Sequence, residues 1–214
     1  MNFTEPDHIQ MLRDTLKKFI KNEMPKSLVS KWDQEDYFPK DVFKKLVDLG
    51  VTSLTVPEEY GGSGVDMVAT IATIEELSSR SIGIASGFIQ CACYAGLNIL
   101  ESGSTEQKNE LLPRVANGEL LFSYGISEPD VGGDVASVST IARLENDEVI
   151  INGSKRWCSG ALIADYIFTL VRSGPADERY RNLSIVLIPP NIKGVTITPQ
   201  NTMGLKGTGG TCDV

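Results

Sequence analysis

Near residue 120 the hydrophobic period of the chain changes from about 3.6 to about 2, and that switch limits the fold more than any other feature. Before it, apolar residues recur at helical spacing. After it come short β-branched or alternating runs at 121–127, 137–144, 148–152, 166–172, 183–188 and 194–198, separated by Gly, Pro, Asn and Asp. Helices followed by strands define an α+β chain. We expect an all-α domain over 1–120 and a β-barrel or sandwich domain over 121–214. Asn146 and Asp147, set between Leu144 and Val149, predict a hairpin.

Within the helical part, residues 6–22 place Ile9, Leu12, Leu16, Phe19 and Ile20 on one face and leave Lys17, Lys18 and Lys21 for solvent. A second helix is expected after Pro39, with Asp41 in its first turn. Val42, Phe43, Leu46, Val47 and Leu49 form its apolar stripe and Gly50 its end. The glycine-rich segment 57–64 reads as a turn, followed by a helix over 67–79 whose Glu75 and Glu76 read as a solvated pair rather than catalytic acids. Ser104 and Gln107 have capping-box spacing and open another helix, which Pro113 should break or restart before Asn117 and Gly118 close it.

Residues 81–100 carry no charge at all, a length that would span a membrane. Gly83, Ser86, Gly87, Gln90, Gly96 and Asn98 make the stretch small and polar, which favours a buried central helix and no membrane. A formal net charge of -8 argues against nucleic acid as a partner, since phosphate-backbone binding needs a concentrated basic surface. The opening residues lack the basic and apolar regions of an export signal, so a cytoplasmic location is expected. Cys91, Cys93, Cys158 and Cys212, with His8 far from all of them, form no zinc spacing and need no disulfide.

Two segments carry candidate chemistry. The first, Y-G-I-S-E-P-D-V-G-G-D from Tyr124 to Asp134, is a strand end entering a glycine-rich turn, where backbone N–H groups can face a ligand. The second, N-G-S-K-R-W-C-S-G from Asn152 to Gly160, sets the indole of Trp157 two residues from the hydroxyl of Ser159, on one face if the segment is a strand. A flat apolar ring beside a hydroxyl suits an isoalloxazine; read alone, Trp157 is a core aromatic.

In this order and spacing the two segments resemble the acyl-CoA dehydrogenase family, whose middle domain carries T-E-P-x-A-G-S-D and then N-G-x-K-x-W-I-T-N. The resemblance extends to Pro57 through Gly62, to Gly103 through Gly118 and to M-G-L-K-G from Met203 to Gly207, and covers essentially the whole chain. It implies FAD as cofactor and dehydrogenation of the CH–CH group of an acyl-CoA thioester. It also implies electron-transfer flavoprotein or a similar acceptor as partner, and a homo-oligomer in the full-length form. By position, Tyr124 lines the pocket, Ile126 and Ser127 face the flavin pyrimidine, Trp157 packs on the ring and Ser159 donates toward N5. Gly133 falls where the family carries a Ser that contacts the acyl-CoA ligand. In the family the catalytic base is a Glu on a C-terminal helical domain, so the resemblance implies a partial chain with no catalytic residue of its own and little turnover alone. Glu128 and Asp134 read as turn-building acids rather than substitutes for it. A non-catalytic flavin-binding or assembly fragment, a β-barrel interaction module, and a flavin monooxygenase or oxidase on the same scaffold stay open as alternatives.

Overall fold

The computed structural model describes residues 4–214. Two compact units emerge: one holds the chain up to Leu121 together with Met203–Gly209, the other holds Phe122–Thr202 and Gly210–Val214.

In the helical unit, α1 (Asp7–Glu23) buries Ile9, Leu16, Phe19 and Ile20, as its spacing predicts, with Leu12 partly buried. A short helix unforeseen in the sequence, α2 (Lys26–Gln34), buries only Trp32, too sparse an apolar face to be read from periodicity. Helix α3 (Lys40–Val47) buries Val42, Phe43 and Leu46, but it stops at Val47, which leaves the expected stripe residue Leu49 exposed at 41%.

Helix α4 (Met67–Ser78) is capped by the Asp66 carboxylate, which accepts from Ala69 N at 2.9 Å. Its Glu75 and Glu76 are not simply solvated. Arg13 of α1 donates to Glu75 at 2.5 Å and to Glu76 at 3.0 Å while also gripping Glu5, so the pair clamps α1 to α4.

The uncharged stretch forms α5 (Ile82–Phe88), a π-helical run (Ile89–Leu97) and α6 (Asn98–Ser102). By length and composition Ile82–Ser102 would cross a membrane, yet Ile84, Ala85, Phe88, Cys91, Ala92, Ala95 and Ile99 are buried in the unit, the placement expected of a central helix. The wide π turn is propped from outside: Thr55 Oγ1 donates to Ala92 O at 2.8 Å, and only a glycine at position 96 leaves room for that hydroxyl.

Helix α7 (Thr105–Ala116) opens with the capping box, Gln107 N donating to Ser104 Oγ and Ser104 N to Gln107 Oε1. Contrary to expectation it runs unbroken through Pro113, forgoing one ladder bond. Asn117 and Gly118 then end it. Gly118 is left-handed (φ 65°), and a Cβ there would strike Val47.

The β unit contains two open sheets and does not close into a barrel; the sandwich alternative is consistent with it. In the larger sheet, β5 (Tyr166–Arg172) is flanked on one side by antiparallel β6 (Leu183–Ile188). On its other side it meets parallel β1 (Phe122–Gly125) and, at Arg172, β2 (Ile141–Glu145). β2 pairs with β3 (Glu148–Asn152) through the expected hairpin, with Asn146 and Asp147 both at positive φ, the primed turn that matches strand twist. The smaller sheet has the order β4 (Cys158–Ser159), β8 (Thr211–Asp213), β7 (Thr198–Gln200).

The left-handed backbone and the filled space at Gly118 act together. Gly118→Ala is expected to lower unfolding free energy by about 2–3 kcal/mol. Gly194→Ala, also left-handed but facing open space, should cost only about 1 kcal/mol. Urea unfolding of the two variants measures the difference.

Candidate functional site

Strand β1 offers two different faces. Phe122 and Tyr124 meet their register partners Tyr166 and Phe168, the latter pair stacked with centroids 5.1 Å apart. The opposite face is kept thin at Gly125, where an added Cβ would lie 3.1 Å from Ile167 and 3.4 Å from Lys155 Cγ. The Lys155 side chain lies against this face.

Beyond β1 the chain is fixed by buried charge. Glu128 and Lys155 have side chains only 3% exposed and are 2.9 Å apart. The Glu128 carboxylate also accepts from Ser139 N and Oγ at 2.7 and 2.6 Å and from Thr140 N and Oγ1 at 2.9 and 2.6 Å. Burial alone would raise this carboxyl, but the donors from Ser139, Thr140 and Lys155 outweigh it and hold it down to about 2. Lys155 Nζ further donates to Ile126 O at 3.2 Å, and its backbone N and O pair both ways with Val214 at 2.7 and 2.8 Å.

The next step along the chain places the indole. Lys155 stands opposite Val214, and Cys158 stands opposite Cys212. Two residues, Arg156 and Trp157, therefore face the single residue Asp213, which is a β-bulge. Trp157 takes the left-handed conformation (φ 65°) and is 59% exposed, so it is neither a core aromatic nor a strand residue sharing a face with Ser159. Arg156 secures the bulge: its guanidinium grips Asp213 at 2.9 and 3.0 Å, lies 5.7 Å from the Trp157 ring centre, and its backbone N donates to Ser127 O at 2.9 Å.

That last bond brings the end of β1, with Tyr124, Ile126 and Ser127, against the bulge carrying Trp157, with Ser159 two residues on. The carbonyls of Ile126 and Ser127 are already engaged by Lys155 and Arg156. Ser159 faces Thr211 across β4 and β8, and the Thr211 hydroxyl is buried without a hydrogen-bond partner. Gly160, at φ 81°, donates to Gly210 O at 2.6 Å; asparagine, the family residue, also tolerates that conformation. Gly133 lies in the exposed loop beyond the Glu128–Val131 turn, and a Cβ added there would meet nothing within 4 Å. Lys155, Arg156 and Thr211 had no role assigned from sequence.

Carboxylate-anchored strand ends, an outward-facing bulged indole and a strand pair carrying Ser159 and Thr211 make up the candidate site of the β unit. The chain matches the acyl-CoA dehydrogenase N-terminal domain over residues 6–119 and the middle domain over residues 123–214, and it belongs to that family. It is 32% identical over 209 residues to the probable acyl-CoA dehydrogenase YngJ of Bacillus subtilis (strain 168), covering 97% of this chain and 55% of the relative. To the mitochondrial short-chain specific acyl-CoA dehydrogenase of Rattus norvegicus it is 30% identical, covering 95% and 49%. Among solved structures, the acyl-CoA dehydrogenase from Geobacillus kaustophilus superposes with a TM-score of 0.88 at 26% identity, over 100% of this chain and 56% of that one. A glutaryl-CoA dehydrogenase from Mycobacterium smegmatis, in complex with FADH2, gives 0.84 at 25% identity, over 98% and 52%. The chain spans about half the length of these relatives.

The depressed Glu128 carboxyl sets a pH dependence. Its folded value of about 2 lies below the ordinary value of about 4.3, so it contributes about 3 kcal/mol of stability above pH ~4.3, lost as pH falls toward 2. Glu128→Gln, which leaves Lys155 buried and uncompensated, is expected to cost about 3–5 kcal/mol at neutral pH and to flatten that acid limb. The double variant Glu128→Leu with Lys155→Met should cost much less than the sum of the single changes. Urea unfolding between pH 3 and 7 reads both effects.

Proposed function

We propose that this chain supplies the flavin-facing part of an FAD-dependent oxidoreductase acting on the CH–CH group of an acyl-CoA thioester. The observation that carries the reading is the bulge that holds the Trp157 indole outward beside Ser127 and Ser159. The residues fit an isoalloxazine: an exposed flat ring, two hydroxyl-bearing neighbours, and the orphaned buried hydroxyl of Thr211 opposite Ser159. Family membership and the FADH2 complex of a structural relative support it.

FAD, when bound, supplies the hydride acceptor. Trp157 covers the ring and excludes water from it. Because the carbonyls of Ile126 and Ser127 are taken, these residues offer a ring their N–H groups and the Ser127 hydroxyl, both suited to polarising an acceptor edge. Ser159 orients the reactive edge with its hydroxyl, and Tyr124 lines the wall.

Neither nearby acid suits removal of an α-proton. Glu128 is buried and its donors leave it too weakly basic, and Asp134 is exposed and bound to Ser137 Oγ at 2.6 Å and Arg179 at 3.3 Å. The reading therefore assigns the base to a carboxylate outside the 214 residues, and the acceptor to electron-transfer flavoprotein or a similar carrier, in a homo-oligomeric full-length enzyme. The locked Glu128 also favours a second reading, flavin binding without turnover by this chain alone.

Titrating the 214-residue chain with FAD, followed by flavin absorbance and fluorescence, tests the proposal. Binding is expected, weakened about tenfold by Trp157→Ala, which corresponds to about 1.4 kcal/mol. Bleaching by butyryl-CoA is expected to be slow or absent, and failure to bind FAD would overturn the reading. In the flavin-loaded protein Gly133→Ser, which has open space, should tighten acyl-CoA binding severalfold by restoring a hydroxyl contact, with unfolding free energy unchanged.

A further inference from the structure

Two arginines of the helical unit are treated differently. Arg13 satisfies its guanidinium with the carboxylates of Glu5, Glu75 and Glu76. Half-buried Arg80, between α4 and α5, donates from Nη1 to Met24 O at 3.1 Å, and among the described residues no carboxylate pairs with it. Withdrawing a guanidinium from water without a counter-charge is unfavourable, so the position calls for an anion.

Arg80 lines a cavity of about 430 Å³ within this unit, bounded by α2, the start of α5 and the returning segment at Lys206 and Gly207. Two more cations reach it. Lys26, in the first turn of α2, has no ion pair among the described residues, while Lys206 stands 3.7 Å from Asp36. Asp33 is the one carboxylate in the lining, so two uncommitted cations face a single acid.

Backbone donors border the same space. Ile82 and Gly83 line it and open a helical run that continues to Ser102. The Ser81 hydroxyl takes Ile84 N, and the ladder begins with Ala85 N on Ser81 O, so the N–H groups of Ile82 and Gly83 have no partner among the described residues. Gly83 is buried, where an unpaired N–H is rare.

We propose that this cavity binds the phosphate group of a small phosphorylated metabolite. Arg80 meets phosphate oxygens with its free N–H groups, Lys26 adds charge, and the Ile82 and Gly83 amides take the oxygens turned toward the helix start. The cavity is larger than a phosphate, and Asp33 accepts from a hydroxyl of the attached group. None of these residues belongs to the β unit, so the inference stands apart from the flavin reading.

Inorganic phosphate and adenosine monophosphate, each titrated at constant ionic strength into the isotope-labelled 214-residue chain, provide the test. Both are expected to shift the Ile82 and Gly83 amide resonances saturably, with affinity reduced about tenfold by Arg80→Gln and severalfold by Lys26→Gln. Equal affinity for the two probes identifies free phosphate as the occupant, and tighter adenosine monophosphate a phosphate ester; either supports the site. Because Lys26 is exposed on α2, its variant decides the matter should Arg80→Gln fail to fold. Shifts that are absent, do not saturate, are matched by acetate or persist unchanged in the folded variants would sink the proposal.

Discussion

A carboxylate and an ammonium enclosed together within 3 Å govern the β unit. Taking two charges out of water is unfavourable unless every remaining lone pair and proton is met, and here Glu128 meets four donors besides Lys155. The arrangement ties the end of β1 to residues 139–140 and to Lys155, and through the Lys155 backbone to Val214. Two glycines border it. Gly125 lies alongside the lysine stem, and a Cβ at Gly153 would displace Thr140, one of the donors. Neither has a left-handed backbone; Gly153 is bare because Thr140 occupies the space, and Gly125 because β5 packs closely there through Ile167 and Thr169.

Placement of the indole follows from that anchoring. With Lys155 held on one side and Cys158 buried opposite Cys212 on the other, the extra residue between them has nowhere to go but outward. Trp157 is thus displayed by a residue count and a bidentate Arg156–Asp213 pair rather than by packing. The carboxylate nearest the candidate site is committed to structure.

Features that depend on neighbouring residues were readable from the sequence. The Asn146–Asp147 turn, the Ser104–Gln107 box and the buried face of α1 each rest on contacts within a few positions. What failed depended on distant partners or on a broken rule of spacing. A strict period of two places Trp157 and Ser159 on one strand face, and a single bulge cancels it. Helix α2 has one buried side chain and gives no period to find. Pro113 lost its veto because the helix face around it is buried through Leu111, Leu112 and Val115, and that packing outweighs one missing bond. Glu75 and Glu76 read as solvated because Arg13 lies some sixty positions away. The candidate site residues were named by resemblance, while the physical reason for their arrangement, the Glu128–Lys155 pair, needed coordinates.

The short segment Met203–Gly209 belongs to the helical unit although the chain has by then traversed the β unit. Gly207 N donates to Asp36 at 2.7 Å, Gln90 Nε2 donates to Thr208 O at 3.2 Å, and Gly83 is bare of side chain where Gly207 O presses on it. On a ribosome, the first 121 residues would emerge with the Asp36 carboxylate lacking Gly207 N and the Gln90 amide holding only Ser86 Oγ, their further partners being made some eighty residues later. The helical unit therefore reaches its final packing only after residues 122–202 of the β unit have been synthesised, which makes the order of synthesis and the order of completion different.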